Sequence, residues 1–339
     1  MAYPLWNLRL EISNYCNLKC PFCMRQNGSP TYKLNATHLT LDLIKSWFPQ
    51  NFLIFETSGK IFLSGAVAEP TLNPNCLEIV KYLSKECHIT IDSNGSTKTE
   101  EWWYELGKTK VDCVFSPDSL KENNNFYRIN SDTKKVISNM KSFISGGGKA
   151  SWKYIPFKHN EDELEEQKKL SSSIGATFLI VQPNPFTANE KLLPSKHFSK
   201  SNVIVEDLTI NRSPNSYCKI LGESSNLIEI SPDGIIYPCC FSAKNIFNVY
   251  SNFFVNGDTK PNLNTTLLPG VDKHAAFISN MVPMIEKQGG IKSISLYHNK
   301  IQDIMSSDLY KFALKQSWET GNTFCTKYCE SRKYVFETS

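Results

Sequence analysis

Leu8-Arg9-Leu10-Glu11-Ile12-Ser13-Asn14-Tyr15-Cys16-Asn17-Leu18-Lys19-Cys20-Pro21-Phe22-Cys23 joins a strand-like run directly to three closely spaced thiols. A cubane iron–sulfur cluster has four irons and normally takes four thiolates, so a tight loop offering three implies one iron left open for chemistry. Zinc would want a fourth ligand in a structural site. Neither His38 nor Asn17 supplies one at a usual spacing.

The chain has 339 residues, enough for a barrel-sized domain and a smaller one. Its 40% hydrophobic and 21% charged content is ordinary for a soluble globular protein. A net charge of +4, with no strongly basic stretch, argues against nucleic acid as a partner. Met1-Ala2-Tyr3-Pro4-Leu5-Trp6 lacks the basic start and long apolar core of a signal peptide, and no apolar run approaches a membrane span. A cytoplasmic location is expected. Eleven cysteines without an export signal point to metal or redox use rather than a disulfide framework.

From residue 8 to 182 short apolar runs alternate with amphipathic ones. The pattern predicts strands at Leu8–Ile12, Lys60–Ser64, His88–Ser93, Val111–Phe115, Ala150–Ile155 and Thr177–Val181. Helices are expected near Thr40–Phe48, Asn75–Lys85, Thr99–Gly107, Thr133–Ser145 and Glu161–Ile174. Six strand–helix units at this spacing imply a parallel sheet with right-handed crossovers, as in a partial TIM-like (β/α)6 barrel. The catalytic face lies at the C-terminal strand ends, where Cys16 to Cys23 fall. If Ser116 points inward, Cys113 faces the helices as a small core residue. Cys87 and Cys76 also read as structural.

Gln182-Pro183-Asn184-Pro185 opens a polar bridge, and Asn226–Ser231 with Gly234–Tyr237 predicts a hairpin about Pro232-Asp233-Gly234. From Ser242 to Gly290 no period is evident, and a last helix is expected over Ile301–Trp318. The expected domains are 1–185 (barrel), 186–215 (bridge) and 216–339.

The C-x3-C-x2-C spacing, with Phe22 before the third cysteine and a strand before the loop, resembles the radical S-adenosylmethionine (SAM) superfamily. The resemblance implies a SAM molecule on the open iron, cleaved by one electron to a 5'-deoxyadenosyl radical that takes a hydrogen atom from a substrate. Ser64-Gly65-Ala66-Val67-Ala68-Glu69-Pro70 is similar to the family's glycine-rich segment ending in Glu-Pro, with Ala66 replacing a glycine. Ser93-Asn94-Gly95-Ser96 is similar to its Thr-Asn-Gly, and Phe115-Ser116-Pro117-Asp118-Ser119-Leu120 to its Phe-Ser-Ile-Asp-Gly-Leu, with Tyr127-Arg128 following. The SAM contacts so implied are Gly65, Ala66, Glu69, Asn94, Ser116, Arg128, Val181 and Gln182, with Arg128 pairing the SAM carboxylate through its planar fork.

Farther on, Cys218, Gly234 and Cys239 follow a C-x15-G-x4-C pattern that resembles the opening of the SPASM/Twitch domains appended to many family members. With Cys325 and Cys329 they imply one auxiliary 4Fe–4S cluster fully ligated by protein, Cys240 being the rival to Cys239. Four thiolates also suit zinc. The resemblance covers nearly the whole chain and suggests a MoaA-like SPASM/Twitch enzyme needing a flavodoxin- or ferredoxin-like electron donor. Its substrate is expected to be a peptide or protein, since segment 242–290 suits a wide site. The alternatives are two-electron oxidation of a small polar metabolite, and a non-catalytic iron–sulfur or zinc protein.

Overall fold

The computed structural model describes residues 6–21, 23, 25, 37–50, 60–64, 68–120, 126–181, 226–237, 246, 249–250, 257–262 and 281–310. Six strands, β1 (Trp6–Leu10), β2 (Lys60–Leu63), β3 (His88–Ser93), β4 (Asp112–Phe115), β5 (Lys149–Tyr154) and β6 (Thr177–Ile180), lie side by side in chain order, every neighbouring pair parallel. Helices α1 (Leu41–Trp47), α2 (Cys76–Leu83), α3 (Glu100–Gly107), α4 (Thr133–Ser145) and α5 (Leu164–Ser173) fall between them, the last after a 3-10 turn at Glu161–Glu163. This is the expected α/β architecture.

Local signals set the helix starts. Thr40, Thr99 and Asp132 each accept a backbone N–H of the first turn, a cap worth about 1 kcal/mol. The core lies between sheet and helices. Phe115 of β4 packs on Trp103 of α3 and Phe143 of α4, with ring centroids 4.8 and 5.7 Å away. Helices α3 and α4 meet backbone to backbone, and a Cβ on Gly107 would stand 2.1 Å from the Phe143 carbonyl oxygen. Cys113 is fully buried in this core, as the alternation along β4 predicts, and Cys76, at the start of α2, is buried there too.

Most strand bounds shift by a residue or two, and two departures have a physical consequence. Strand β1 runs two residues earlier because β7 (Asn226–Ile230) pairs with it in parallel from Trp6 to Leu10. Through β7 the hairpin with β8 (Ile236–Tyr237) extends the barrel sheet to eight strands instead of standing apart from it. The last expected helix is interrupted: Ile301–Met305 is capped by Ser306, the chain is helical again at 308–310, and 311–318 lie outside the described residues. Within the stretch expected to lack a period, residues 281–287 are helical. Met281, Val282 and Ile285 bury one side of that turn, a motif too short to stand out among its Asn and Pro neighbours. Among the described residues no helix is long and apolar enough to cross a membrane.

Candidate functional site

The three-thiol loop leaves β1 at its C-terminal end and is fastened to three other loops. Asn14 and Thr37 bond reciprocally, the Thr37 N–H donating to Asn14 Oδ1 at 2.7 Å and the Asn14 N–H to the Thr37 carbonyl at 3.1 Å. The Tyr15 carbonyl accepts the Glu69 N–H at 2.8 Å, and the Lys19 N–H donates to the Ile129 carbonyl at 3.1 Å. Cys23 turns back on Cys20 through an N–H···O bond of 3.0 Å, and the Leu18 N–H points at Cys16 Sγ, 3.4 Å away.

Cys20 is buried, Cys16 and Cys23 are half-buried, and all three are free thiols. Burial first, then the Glu69 carboxylate, pushes the Cys16 thiol up to about 12; burial also raises Cys23. Neighbouring thiols of the triplet add to the rise at both Cys16 and Cys23. Such thiols become thiolates when a metal takes the proton's place. Among the described residues no three His, Cys, Asp or Glu side chains close around a single ion. A cubane, which places each thiolate on a different iron, suits this donor set better than one zinc ion.

Two strand-end loops border the triplet. Glu69 is buried and acts as an internal acceptor: Oε1 takes the Thr71 N–H (3.2 Å) and hydroxyl (2.7 Å) and the Ser93 hydroxyl (2.7 Å), and Oε2 the Asn94 N–H (2.7 Å). Burial raises its carboxyl despite these four donors. The carboxylate ties the loop after β2 to the end of β3. Asn94 Nδ2 then donates to Asn17 Oδ1 at 3.0 Å and lies 4.0 Å from Cys16 Sγ, while Asn17 Nδ2 donates to the Ser96 hydroxyl at 3.0 Å. Gly95 must be glycine: φ is +72°, and a Cβ would come within 2.8 Å of the Phe115 ring. Gly65 and Ala66 lie outside the described residues.

After β4, Ser116 is buried beside Pro117 and Asp118. Asp118 holds φ at +56°, a left-handed conformation that Asp tolerates better than most side chains. Its Oδ1 accepts the Ile155 N–H at 3.1 Å and its Oδ2 the Arg128 Nε–H. Asn160 and Gln167 donate to the Asp118 carbonyl at 2.7 and 3.2 Å, and Glu163 accepts the Ser119 hydroxyl at 2.9 Å and the Leu120 N–H at 2.6 Å. Arg128, expected on the SAM carboxylate, thus has its Nε edge committed within the protein, and its Nη1 lies 3.9 Å from Cys20 Sγ. Val181 packs near Ile155 and Phe157 at the sixth strand end; Gln182 lies outside the described residues, as do Cys218, Cys239, Cys240, Cys325 and Cys329.

Sequence reasoning missed the bracing role of Asp118, Asn160 and Glu163, which motif matching passes over because their partners lie up to 49 residues away along the chain. It also assigned no role to His159. Both ring nitrogens of His159 are buried without a hydrogen-bond partner among the described residues, between the Phe157 and Phe126 rings at 5.6 and 5.9 Å. Burial lowers its pKa below 6.5, the charges of Asp118 and Glu163 opposing in part. A histidine depressed in the folded state gives stability that is complete above its unfolded value and lost as pH falls through it. His159→Phe should therefore narrow the fall in Tm between pH 7.5 and 5.5; an unchanged or wider fall would refute the assignment.

The inner face of the sheet can be read in layers from its register. Arg9, Phe62, Thr90, Asp112, Lys149 and Glu229 share one layer, and Asp92, Val114, Ser151 and Thr177 the next toward the C-terminal ends. Continuing the register, Asn94, Ser116 and Lys153 form the outermost layer. The face is charged: Lys153 reaches Asp92 at 3.8 Å, and Arg9 reaches Glu229 at 3.8 Å. Asp92 is 47% exposed, so that pair is open to a visiting polar group and adds little stability.

Residues 10–170 match the family model described as the radical SAM superfamily. The chain is 26% identical over 222 residues to a tungsten-containing aldehyde ferredoxin oxidoreductase cofactor-modifying protein of Pyrococcus furiosus, covering 61% of this chain and 57% of that one. It is 30% identical over 132 residues to a GTP 3',8-cyclase of Mannheimia succiniciproducens, 38% and 37% of the two chains. Thus the chain spans about half the length, or less, of the curated relatives it matches. Among solved structures, native anSMEcpe with bound AdoMet superposes with a TM-score of 0.53 at 14% identity, over 92% of this chain and 84% of that one. SuiB of Streptococcus suis does so with a TM-score of 0.50 at 19% identity, over 82% and 68%. At these identities the two structures share the fold.

Proposed function

We propose, from the premise that residues 10–170 belong to the radical SAM superfamily, that this chain is an enzyme that cleaves SAM reductively and abstracts a hydrogen atom from a peptide or protein substrate. The observation that carries the reading is the placement of Cys16, Cys20 and Cys23 on one loop at the C-terminal end of the first strand, hydrogen-bonded to Asn94 and, through the Tyr15 carbonyl, to Glu69. When bound, the cluster would supply one electron that breaks the C5'–S bond of SAM, giving methionine and a 5'-deoxyadenosyl radical that becomes 5'-deoxyadenosine on taking the substrate's hydrogen.

The chain's own residues hold and shield. Cys16, Cys20 and Cys23 ligate the cluster; Gly65 and Ala66 let backbone carbonyls approach the SAM ammonium. Glu69 and Asn94 set the floor of that pocket, Ser116 lines it, and Val181 and Gln182 support the adenine. The charged inner face below offers Asp92 and Lys153 to a polar substrate. Cys218, Cys239, Cys325 and Cys329 hold an auxiliary 4Fe–4S cluster in a domain over 216–339, where it passes electrons; a flavodoxin- or ferredoxin-like protein reduces the first cluster.

The test is anaerobic incubation of iron-reconstituted protein with SAM, dithionite and a library of uniformly deuterated peptides. Deuterium should appear in 5'-deoxyadenosine, with a matching mass change in one peptide. Turnover with a small alcohol or nucleotide but no peptide would favour the metabolite reading. A cluster that binds SAM and never cleaves it would mark the chain as non-catalytic.

A further inference from the structure

We propose that Asp92 and Lys153, the ion pair on the open inner face of the sheet, form a two-armed clamp for a primary carboxamide, so that the peptide taken by this enzyme presents an asparagine or glutamine side chain there. This role rests on the peptide-modifying reading above and names the residue type that reading leaves open.

The two faces of the sheet differ in kind. On the helix side Ile61, Ile89, Ile91, Cys113 and Trp152 are closed off from solvent. On the inner side Thr90, Asp92, Val114, Ser151 and Lys153 all stay partly open. A closed barrel fills its interior with bulky aliphatic side chains; of these five inner residues only Val114 is one. An apolar visitor would cover the polar groups without pairing them, so the face suits a polar ligand. Lys153 Nζ stands 3.8 Å from Asp92 Oδ1, in ion-pair range but beyond a good hydrogen bond, and neither side chain has another partner among the described residues. The pair therefore keeps its donors and acceptors for a visitor. Asp92 lies two residues before Asn94, about 6–7 Å along the strand, and Asn94 Nδ2 is 4.0 Å from Cys16 Sγ.

The class of ligand follows from the chemistry of the pair. The Asp92 carboxylate only accepts hydrogen bonds and the Lys153 ammonium only donates them. A visiting ammonium would meet Lys153 as well as Asp92, and a visiting carboxylate would meet Asp92 as well as Lys153; each carries a like-charge contact that selects against it. A backbone amide is trans, so its N–H and C=O point in opposite directions and cannot reach two adjacent arms. A primary carboxamide carries its NH2 and its oxygen side by side on one carbon. The NH2 donates to Asp92 while the oxygen accepts from Lys153, and a neutral group leaves the two charges balanced. Held there, the carbons that bear the amide rise toward the layer of Asn94 and Ser116 that borders the triplet loop.

The experiment uses the full chain, reconstituted anaerobically with iron and sulfide, kept oxidised and saturated with SAM. Equilibrium dialysis measures retention of acetyl-Gly-Gly-Xaa-Gly-Gly N-methylamides in which Xaa is Gln, Asn, Glu, Lys or Met; the methylated C-terminus leaves the Xaa side chain as the sole source of a primary carboxamide. The Gln or the Asn peptide should bind about fivefold more tightly than the Glu, Lys and Met peptides, the effect of one or two hydrogen bonds. Lys153→Met leaves the anion alone and should turn the preference to the Lys peptide, and Asp92→Ala should turn it to the Glu peptide. Asp92→Lys/Lys153→Asp should restore the carboxamide preference, since the fork can turn over. The open pair adds little stability, so these variants fold, with a Tm near wild type as the check. SAM affinity, dialysed in the same way, should match wild type. The proposal is overturned if the wild type prefers the Glu, Lys or Met peptide, if it binds SAM and retains neither carboxamide peptide, or if the single variants lose SAM affinity, which would put the pair on the cofactor. Turnover of a small alcohol or nucleotide, and of no peptide in the deuterium assay, would refute the underlying reading instead.

Discussion

Cys16→Ala is expected to reduce 5'-deoxyadenosine formation to the assay background and to lower bound iron by about four atoms per chain. Two thiolates are too few to hold a cubane whose fourth iron must stay open, and no neighbouring His, Asp or Glu is placed to replace the lost ligand among the described residues. Fold and cluster can be separated by controls. Cys76→Ala and Cys113→Ala remove sulfurs that are fully buried in the helix-facing core; each should lower Tm while leaving iron content and SAM cleavage intact. Cys218→Ala should remove a second set of about four irons without touching the first. Retained SAM cleavage in Cys16→Ala, or its loss in Cys113→Ala with the fold intact, would contradict the assignment of the thiols.

The contrast between these cysteines shows what a sequence makes legible. Alternation along β4 separates Cys113, on the side of Phe115, from the inward Ser116, because in a strand side chains must take opposite faces. The same rule recovers all six barrel strands to within two residues. Sequence fails where the decisive partner is remote. The pairing of β7 with β1 joins residues more than two hundred positions apart, and nothing in Trp6 or Asn226 announces it. Arg128 shows the same limit at shorter range. The Tyr127-Arg128 motif supports a cofactor contact as well as an internal one, and only the left-handed turn at Asp118 shows where the guanidinium is held.

These remote partners converge on two buried carboxylates, each an acceptor that ties strand-end loops together. Glu163 braces the loop after β4, and Glu69 braces those after β2 and β3. Among its described residues the triplet loop has no helix or strand after β1, so its geometry is inherited from these braces through the Tyr15–Glu69 and Lys19–Ile129 backbone bonds. Preorganisation of a cluster site here is therefore a property of three strand ends taken together.

Glu69 is where that dependence can be measured. Glu69→Ala would leave the Thr71 N–H and hydroxyl, the Ser93 hydroxyl and the Asn94 N–H without their acceptor in a buried site. Each buried donor so stranded costs about 1–3 kcal/mol, and relaxation or entering water recovers part of the sum. A net loss of about 3–4 kcal/mol in urea unfolding of the apoprotein is expected, near the upper end for single substitutions. Glu69→Gln should behave differently. Burial raises the carboxyl despite four donors, so the charged form is held at a cost that a neutral amide avoids. Its oxygen can still take the donors at Oε1, while its NH2 meets the Asn94 N–H donor to donor; the two effects oppose, and about 1–2 kcal/mol should be lost. Reconstituted Glu69→Gln should bind iron normally yet bind SAM more weakly, because Asn94 is displaced beside Cys16. Equal destabilisation by the two variants would show that side-chain bulk, not the acceptor, supports the loop, and wild-type SAM affinity in Glu69→Gln would detach this brace from the cofactor site.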